Sequence, residues 1–179
     1  MSDQTPANIQ QNSIMELPPF GKAPALSMDM SNIREAESRI IEAKNVNPIT
    51  YADLENSYNL AYRDLKRYLS AIGYQIVFAE KTLEEAKADI ILDKYPQYLI
   101  DNGIKKTNDN ADLRKAFIAR DPDYQAALDR LNQLQALASN FDGKIKVFEN
   151  TCRYMRKTMD LILRSGMSNS DYYVTSGKK

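Results

Sequence analysis

The sequence predicts an all-α protein: a long antiparallel helical hairpin or coiled coil that completes a helical bundle by oligomerisation. Three observations predict it. Two stretches carry apolar residues in steps of three and four, the spacing that sets every one of them on a single helical seam. No alternating strand pattern is evident anywhere in the chain. The polar segment between the two stretches is short enough to bring the second helix back against the first.

Taken in order, residues 1–30 hold Pro6, Pro18, Pro19 and Pro24 among Gln, Asn and Ser without a helical period, which predicts a flexible arm. Its apolar cluster, Ile14, Met15, Leu17 and Phe20, reads either as stray apolar residues of a tail or as a docking peptide. Ile33, Ala36, Ile40 and Ala43 predict a helix from Ser31 to Lys44, with Ser31 as its cap. Pro48 ends that helix, and Thr50 with Asp53 resembles a capping box for the next.

The first long helix follows, with its seam on Tyr51, Leu54, Tyr58, Ala61, Leu65, Tyr68, Ile72, Ile76, Ala79, Leu83, Ala86 and Ile90. Gly73 lies beside its one irregular step. Tyr95-Pro96 is expected to stop or kink it, with a turn at Asp101-Asn102-Gly103. Asn110 or Asp109 caps a short helix over Ala111 to Arg120, and Asp121 followed by Pro122 opens the second long helix. Its seam is Tyr124, Ala127, Leu131, Leu134, Ala138, Phe141, Ile145, Phe148, Cys152, Met155, Met159 and Ile162. Such a seam extends for roughly 60 Å, too long for a compact core to cover, so it requires another long helix. Arg164-Ser165-Gly166 is expected to end it, leaving 166–179 as a flexible tail and 31–165 as the helical domain. Leu60, Leu69, Val77, Ile91, Leu128, Leu137 and Leu161 widen both stripes beyond a two-stranded seam, which favours completion by other subunits.

Composition narrows function mainly by exclusion. With 179 residues, 43% of them apolar, the chain can bury a core as one domain. Its 24 basic and 24 acidic residues cancel, so net charge points to neither nucleic acid nor membrane. There is no His, and Cys152 is the only cysteine, which removes the commonest metal ligands, disulfides and His-assisted nucleophiles. Neither enzyme, metal nor cofactor is expected. Without a membrane-length apolar run or a signal pattern, a cytoplasmic setting is the expectation.

The basic residues are spread unevenly. Lys144, Lys146, Arg153, Arg156, Lys157 and Arg164 face only Glu149 and Asp160 over the same stretch, and Arg63, Lys66 and Arg67 face Asp64. Pairing Tyr51 with Ile162 puts Lys66 level with Val147, which brings the two clusters to one end and leaves Glu80, Glu84, Glu85, Asp89 and Asp93 toward the other. A positive band with Tyr62, Tyr68 and Tyr154 nearby is the pattern that holds phosphates and stacks unpaired bases. Lys and Arg near a helix C-terminus also favour its dipole, and seam tyrosines are commonly core.

Over roughly residues 50 to 165 the run Ile118-Ala119-Arg120-Asp121-Pro122-Asp123-Tyr124, continuing through Leu131, Leu134 and Phe141 to Arg153-Tyr154-Met155-Arg156-Lys157, resembles the UvsY-type recombination mediators of tailed phages. The resemblance implies a homo-oligomeric ring that binds single-stranded DNA and helps a RecA-like recombinase displace the single-strand-binding protein. In that family the first long helix ends in a Lys and Arg pair followed by aromatics. Here Lys87 matches, Asp89 replaces a basic residue, and Lys94-Tyr95 follows. DNA contact is therefore expected instead at Arg63, Lys66, Arg67, Lys144, Lys146, Arg153, Arg156 and Lys157. The rival expectation is a phage structural, scaffolding or adaptor coiled coil whose positive band meets an acidic protein.

Overall fold

The computed structural model describes residues 13–104 and 110–175, with side chains as far as 165. The fold is all-α, a helical hairpin with one small two-stranded sheet. In order come β1 (Ile14–Leu17), β2 (Leu26–Asp29), α1 (Ser31–Ser38), α2 (Ile40–Lys44), α3 (Tyr51–Asp89), a π-helical turn (Ile90–Lys94), α4 (Tyr95–Asp101), α5 (Ala111–Arg120) and α6 (Pro122–Thr175). The chain divides into two compact units. Of the described residues, the first takes 13–16, Ser27–Tyr68 and those from Asp142 on; the second takes Leu17–Leu26 and Leu69–Phe141.

Both predicted seams are the buried faces of the long helices. Leu65, Ile72, Leu131, Leu134, Phe141, Ile145, Phe148 and Met155 are buried, and Leu83 is half-buried. In the first unit α3 and α6 run antiparallel, with the Tyr58 ring edge-on to Phe148 at 5.3 Å and Glu55 paired to Arg156 at 2.9 Å. That register differs from the expected one: Lys66 lies near Asp142 rather than level with Val147. The Tyr58 and Phe148 rings fill one layer of the core together, and their fit overrides an alignment made by matching the seam ends.

Helices α1 and α2 cover these two helices in the first unit, burying Ile33, Ala36 and Ala43. The single helix expected over 31–44 is broken at Arg39 (φ −92°, ψ 9°). Ser38 turns its hydroxyl onto the Glu35 carbonyl at 2.7 Å, and Arg39 reaches both Glu42 at 2.9 Å and Asp53 at 2.6 Å. Side-chain bonds of this kind compete with the helical ladder. The caps differ too. Ser31 is the first helical residue, and the Asp29 carboxylate accepts from its N–H and its hydroxyl. At α3 the box is Asn47 with Thr50: Asn47 Oδ1 accepts from the N–H groups of Ile49 and Thr50, while the Asn47 N–H donates to Thr50 Oγ1.

Residues 13–30 are not a flexible arm. The Met30 N–H donates to the Ser13 carbonyl at 2.7 Å and Phe20 and Ala23 exchange backbone bonds, so the segment is an antiparallel hairpin. Met28, Met30 and Ala23 are buried. Its two strands correct the expectation of none, since a four-residue strand is too short to show alternation before its packing is known. Residues 1–12 of the predicted arm lie outside the described residues.

Within the second unit the helical run passes Pro96 and reaches Asp101. Proline cannot donate, and its ring would meet the carbonyl four residues back. The chain avoids the clash by widening: the Tyr95 N–H bonds the Ile90 carbonyl, five residues back, and Pro96 then sits in the first turn of α4. The predicted turn closes α4 as a Schellman motif. Gly103 has φ +63°, its N–H reaching the Ile100 carbonyl at 3.1 Å and that of Ile104 the Leu99 carbonyl at 2.9 Å. Asn110 caps α5 through Leu113 N–H at 2.8 Å, as predicted. At the far end α6 does not stop near Gly166 but continues helical to Thr175; 176–179 of the predicted tail lie outside the described residues.

Asp121 caps α6 as expected, accepting from the N–H groups of Asp123 and Tyr124, and Lys94 Nζ reaches it at 2.7 Å. Burial pushes this carboxyl up, but Lys94 and the two N–H groups together outweigh burial and hold it below the usual range. A depressed folded pKa contributes stability above the unfolded value that is lost as pH falls through the folded one. Asp121→Asn is therefore expected to lower the denaturation midpoint at pH 7, and the gap to wild type should close below about pH 4. A pH series of urea titrations checks this; a gap that stays constant contradicts it.

Gly73 and Gly143 occupy helix interiors where an added Cβ meets nothing within 4 Å. Neither is required by packing. Gly73→Ala and Gly143→Ala are each expected to raise the unfolding free energy by about 1 kcal/mol, measured by chemical denaturation; a loss at either position would show that its glycine serves the fold.

Candidate nucleic-acid interface

All eight basic residues singled out in the sequence lie in the first unit. Helical spacing separates them into different surroundings. Arg153, Arg156 and Lys157, on one turn of α6, line an open groove of about 530 Å³ with Asn59, Tyr62, Phe148, Glu149, Cys152 and Asp160. Tyr62 is half-buried, and Lys66 Nζ stands 5.5 Å from the centre of its ring, a cation–π distance. Arg63 is the next residue along α3 and is exposed. Among the described residues no carboxylate lies within ion-pair distance of Arg63, Arg153 or Lys157.

The other predicted cations are committed to acids. Lys144 pairs with Glu37, Lys146 with Asp142 at 2.6 Å, and Arg67 with Asp64 at 3.4 Å. Arg67 also donates to the Tyr68 hydroxyl at 2.9 Å, a bond that raises its pKa, and its guanidinium lies 4.8 Å from the Tyr68 ring centre. Arg156 belongs to both groups, since it lines the groove and donates to Glu55 at 2.9 Å. The site is thus narrower than the sequence band.

Of the three tyrosines expected to stack, only Tyr62 lines the groove. Tyr68 is buried and donates to the Asp29 carbonyl at 2.8 Å. Tyr154 donates to the Lys44 carbonyl at 3.2 Å and lines a separate, largely apolar groove with Ile40, Lys44, Val147, Asn150 and Thr151. Asn59 is a groove residue the sequence reasoning missed; it lies three residues before Tyr62, on the same helix face. The groove's carboxylates, Glu149 and Asp160, leave its lining only mildly positive.

Cys152 is half-buried at the groove, and burial pushes its thiol pKa up. The Tyr58 phenol beneath is pushed up to about 12, by burial first and then by Cys152. Neither group is prepared to ionise near neutrality, and groove chemistry reduces to charge, hydrogen bonding and stacking. Among the described residues no cluster of His, Cys, Asp or Glu could hold a metal ion, and no helix is long and apolar enough to cross a membrane.

Lys87, Lys94 and Tyr95, which the resemblance set against a basic-aromatic helix end, are internally engaged in the second unit. Lys94 clamps Asp121 and Asp123 at 2.7 and 2.8 Å, Lys87 lies 4.0 Å from Glu84, and Tyr95 is buried in an aromatic cluster with Tyr98 and Phe117. In comparisons with known proteins the chain matches no family model, no curated protein and no solved structure.

Proposed function

We propose that the chain is a non-enzymatic phage recombination mediator of the host-cell cytoplasm. As a homo-oligomer it holds single-stranded DNA and assists a RecA-like recombinase in replacing the single-strand-binding protein. The observation that carries the reading is the groove in which Arg153, Arg156 and Lys157 stand beside the half-exposed Tyr62 ring. Guanidinium and ammonium groups hold phosphates, and an aromatic face takes any base. Because stacking on Tyr62 takes any base, binding with little sequence preference is expected. A few contacts per subunit, repeated around an oligomer, give avidity without a dense charge on any one chain.

Fluorescence anisotropy with a labelled single-stranded oligonucleotide at about 50 and 200 mM salt tests this. Binding that weakens steeply with salt supports it, and no binding at the lower salt overturns it. The rival reading, a phage structural, scaffolding or adaptor protein, is favoured by one feature: the apolar groove at Val147 and Tyr154, whose side chains are half exposed. Failure to bind DNA combined with stable co-assembly with purified phage capsid or tail proteins would select it.

A further inference from the structure

The loop Leu17–Leu26 belongs to the second unit, while the residues on either side of it belong to the first. Its holders read main chain. Arg130 on α6 donates Nη2 to the Pro18 carbonyl and Gln75 on α3 donates Nε2 to the Pro24 carbonyl, both at 2.7 Å, and both side chains are more than nine-tenths buried. At the tip Gly21, with φ +56°, sits so close to α3 that a Cβ would come 2.6 Å from Thr82 Oγ1; Lys22 beside it pairs with Glu85 at 2.9 Å. The fit is incomplete. Arg130 Nε and Gln75 Oε1 are buried without a hydrogen-bond partner among the described residues, a penalty that docking does not relieve.

We propose that this loop is an exchangeable docking peptide: the α3 and α6 face bearing Gln75, Glu85 and Arg130 takes the same loop from a second copy of the chain, and reciprocal exchange builds the homo-oligomer. Every recognised feature is carried by the loop's own backbone and by Lys22, so a second copy presents an identical ligand. Three prolines restrict the loop before it docks, which lowers the ordering cost for a loop arriving from elsewhere. The two unsatisfied groups lower the cost of releasing the resident one. The proposal deepens the self-association part of the proposed function and rests on that part alone; its test contains no DNA, so its failure leaves the DNA reading standing.

The test uses full-length chains in a Cys152→Ser background. One preparation carries Lys22→Cys and the other, distinguishable by mass, Glu85→Cys. After mixing and treatment with a short bismaleimide, denaturing electrophoresis and mass spectrometry are expected to show a covalent pair containing one chain of each kind, increasing with protein concentration. A chain carrying both changes controls for reach. If that chain links only to itself and the mixture yields no mixed pair, the proposal is overturned. Sedimentation equilibrium decides independently. Wild type that stays a single chain at every concentration overturns it, as does an oligomer that persists in Gln75→Ala/Arg130→Ala at unchanged helical dichroism. Loss of the oligomer in that variant supports it. Should that variant unfold, Lys22→Glu, which sets like charges against Glu85, replaces it, with weakened association supporting exchange and unchanged association overturning it.

Discussion

Phe148→Ala is expected to lower the unfolding free energy by about 3–5 kcal/mol. The ring is fully buried and meets the edge of Tyr58 at 5.3 Å with an interplanar angle of 84°, so truncation removes transfer energy and an aromatic pair and leaves a void. The neighbours have little freedom to close it. Tyr58, Leu54 and Ile145 are themselves buried, and the α1 and α2 layer is fastened by Asn32 to Asp64 at 2.7 Å and by Lys144 to Glu37. Phe148→Leu should recover more than half of the loss because it refills most of the volume. Urea unfolding followed by far-ultraviolet dichroism measures both; a loss below about 1 kcal/mol would mean that the register around Tyr58 and Phe148 is wrong. Phe148 also lines the candidate groove, so a shift in its packing should alter Tyr62 before any charge is touched.

The second large effect concerns binding. Arg153→Gln, Arg156→Gln and Lys157→Gln together are expected to weaken single-stranded DNA binding by about two orders of magnitude near 50 mM salt. The slope of log affinity against log salt should fall by about two, since each phosphate contact on a single strand contributes about 0.7. Stability should move by no more than about 1 kcal/mol, because Arg156, the member removed from the ion pair with the half-buried Glu55, is itself mostly exposed. Lys144 and Lys146, already paired with Glu37 and Asp142, serve as a comparison: their glutamine variants should bind nearly as wild type. Affinity altered less than threefold in the triple variant, with DNA binding intact in wild type, would falsify the groove as the site.

Much of the helical frame was legible in the sequence because burial along a long helix is periodic. The two seams, the caps at Asn110 and Asp121, and the turn at Gly103 all follow from local chemistry. What escaped was set at a distance. Residues 17–26 look like tail because they are polar and rich in proline, and what orders them is Gln75 and Arg130, each more than fifty residues away. The basic band was legible as composition, yet the commitment of Lys144 depends on where α1 lies, which no spacing within α6 discloses. Pro96 interrupts the regular α-helix, but through a widened turn rather than a stop. The rule that proline ends a helix assumes a fixed number of residues per turn, and the chain changes that number instead.

That widened turn has a consequence for how such chains can diverge. One surplus residue held inside a continuous helix swings every later side chain around the axis by about 100°. It is such a swing that decides which flank of the rod Tyr95 and Tyr98 occupy, and hence where Phe117 finds them. Losing a single codon between Ile90 and Lys94 would therefore re-aim Tyr95 and Tyr98 away from Phe117 and return the Pro96 ring to the carbonyl four residues back.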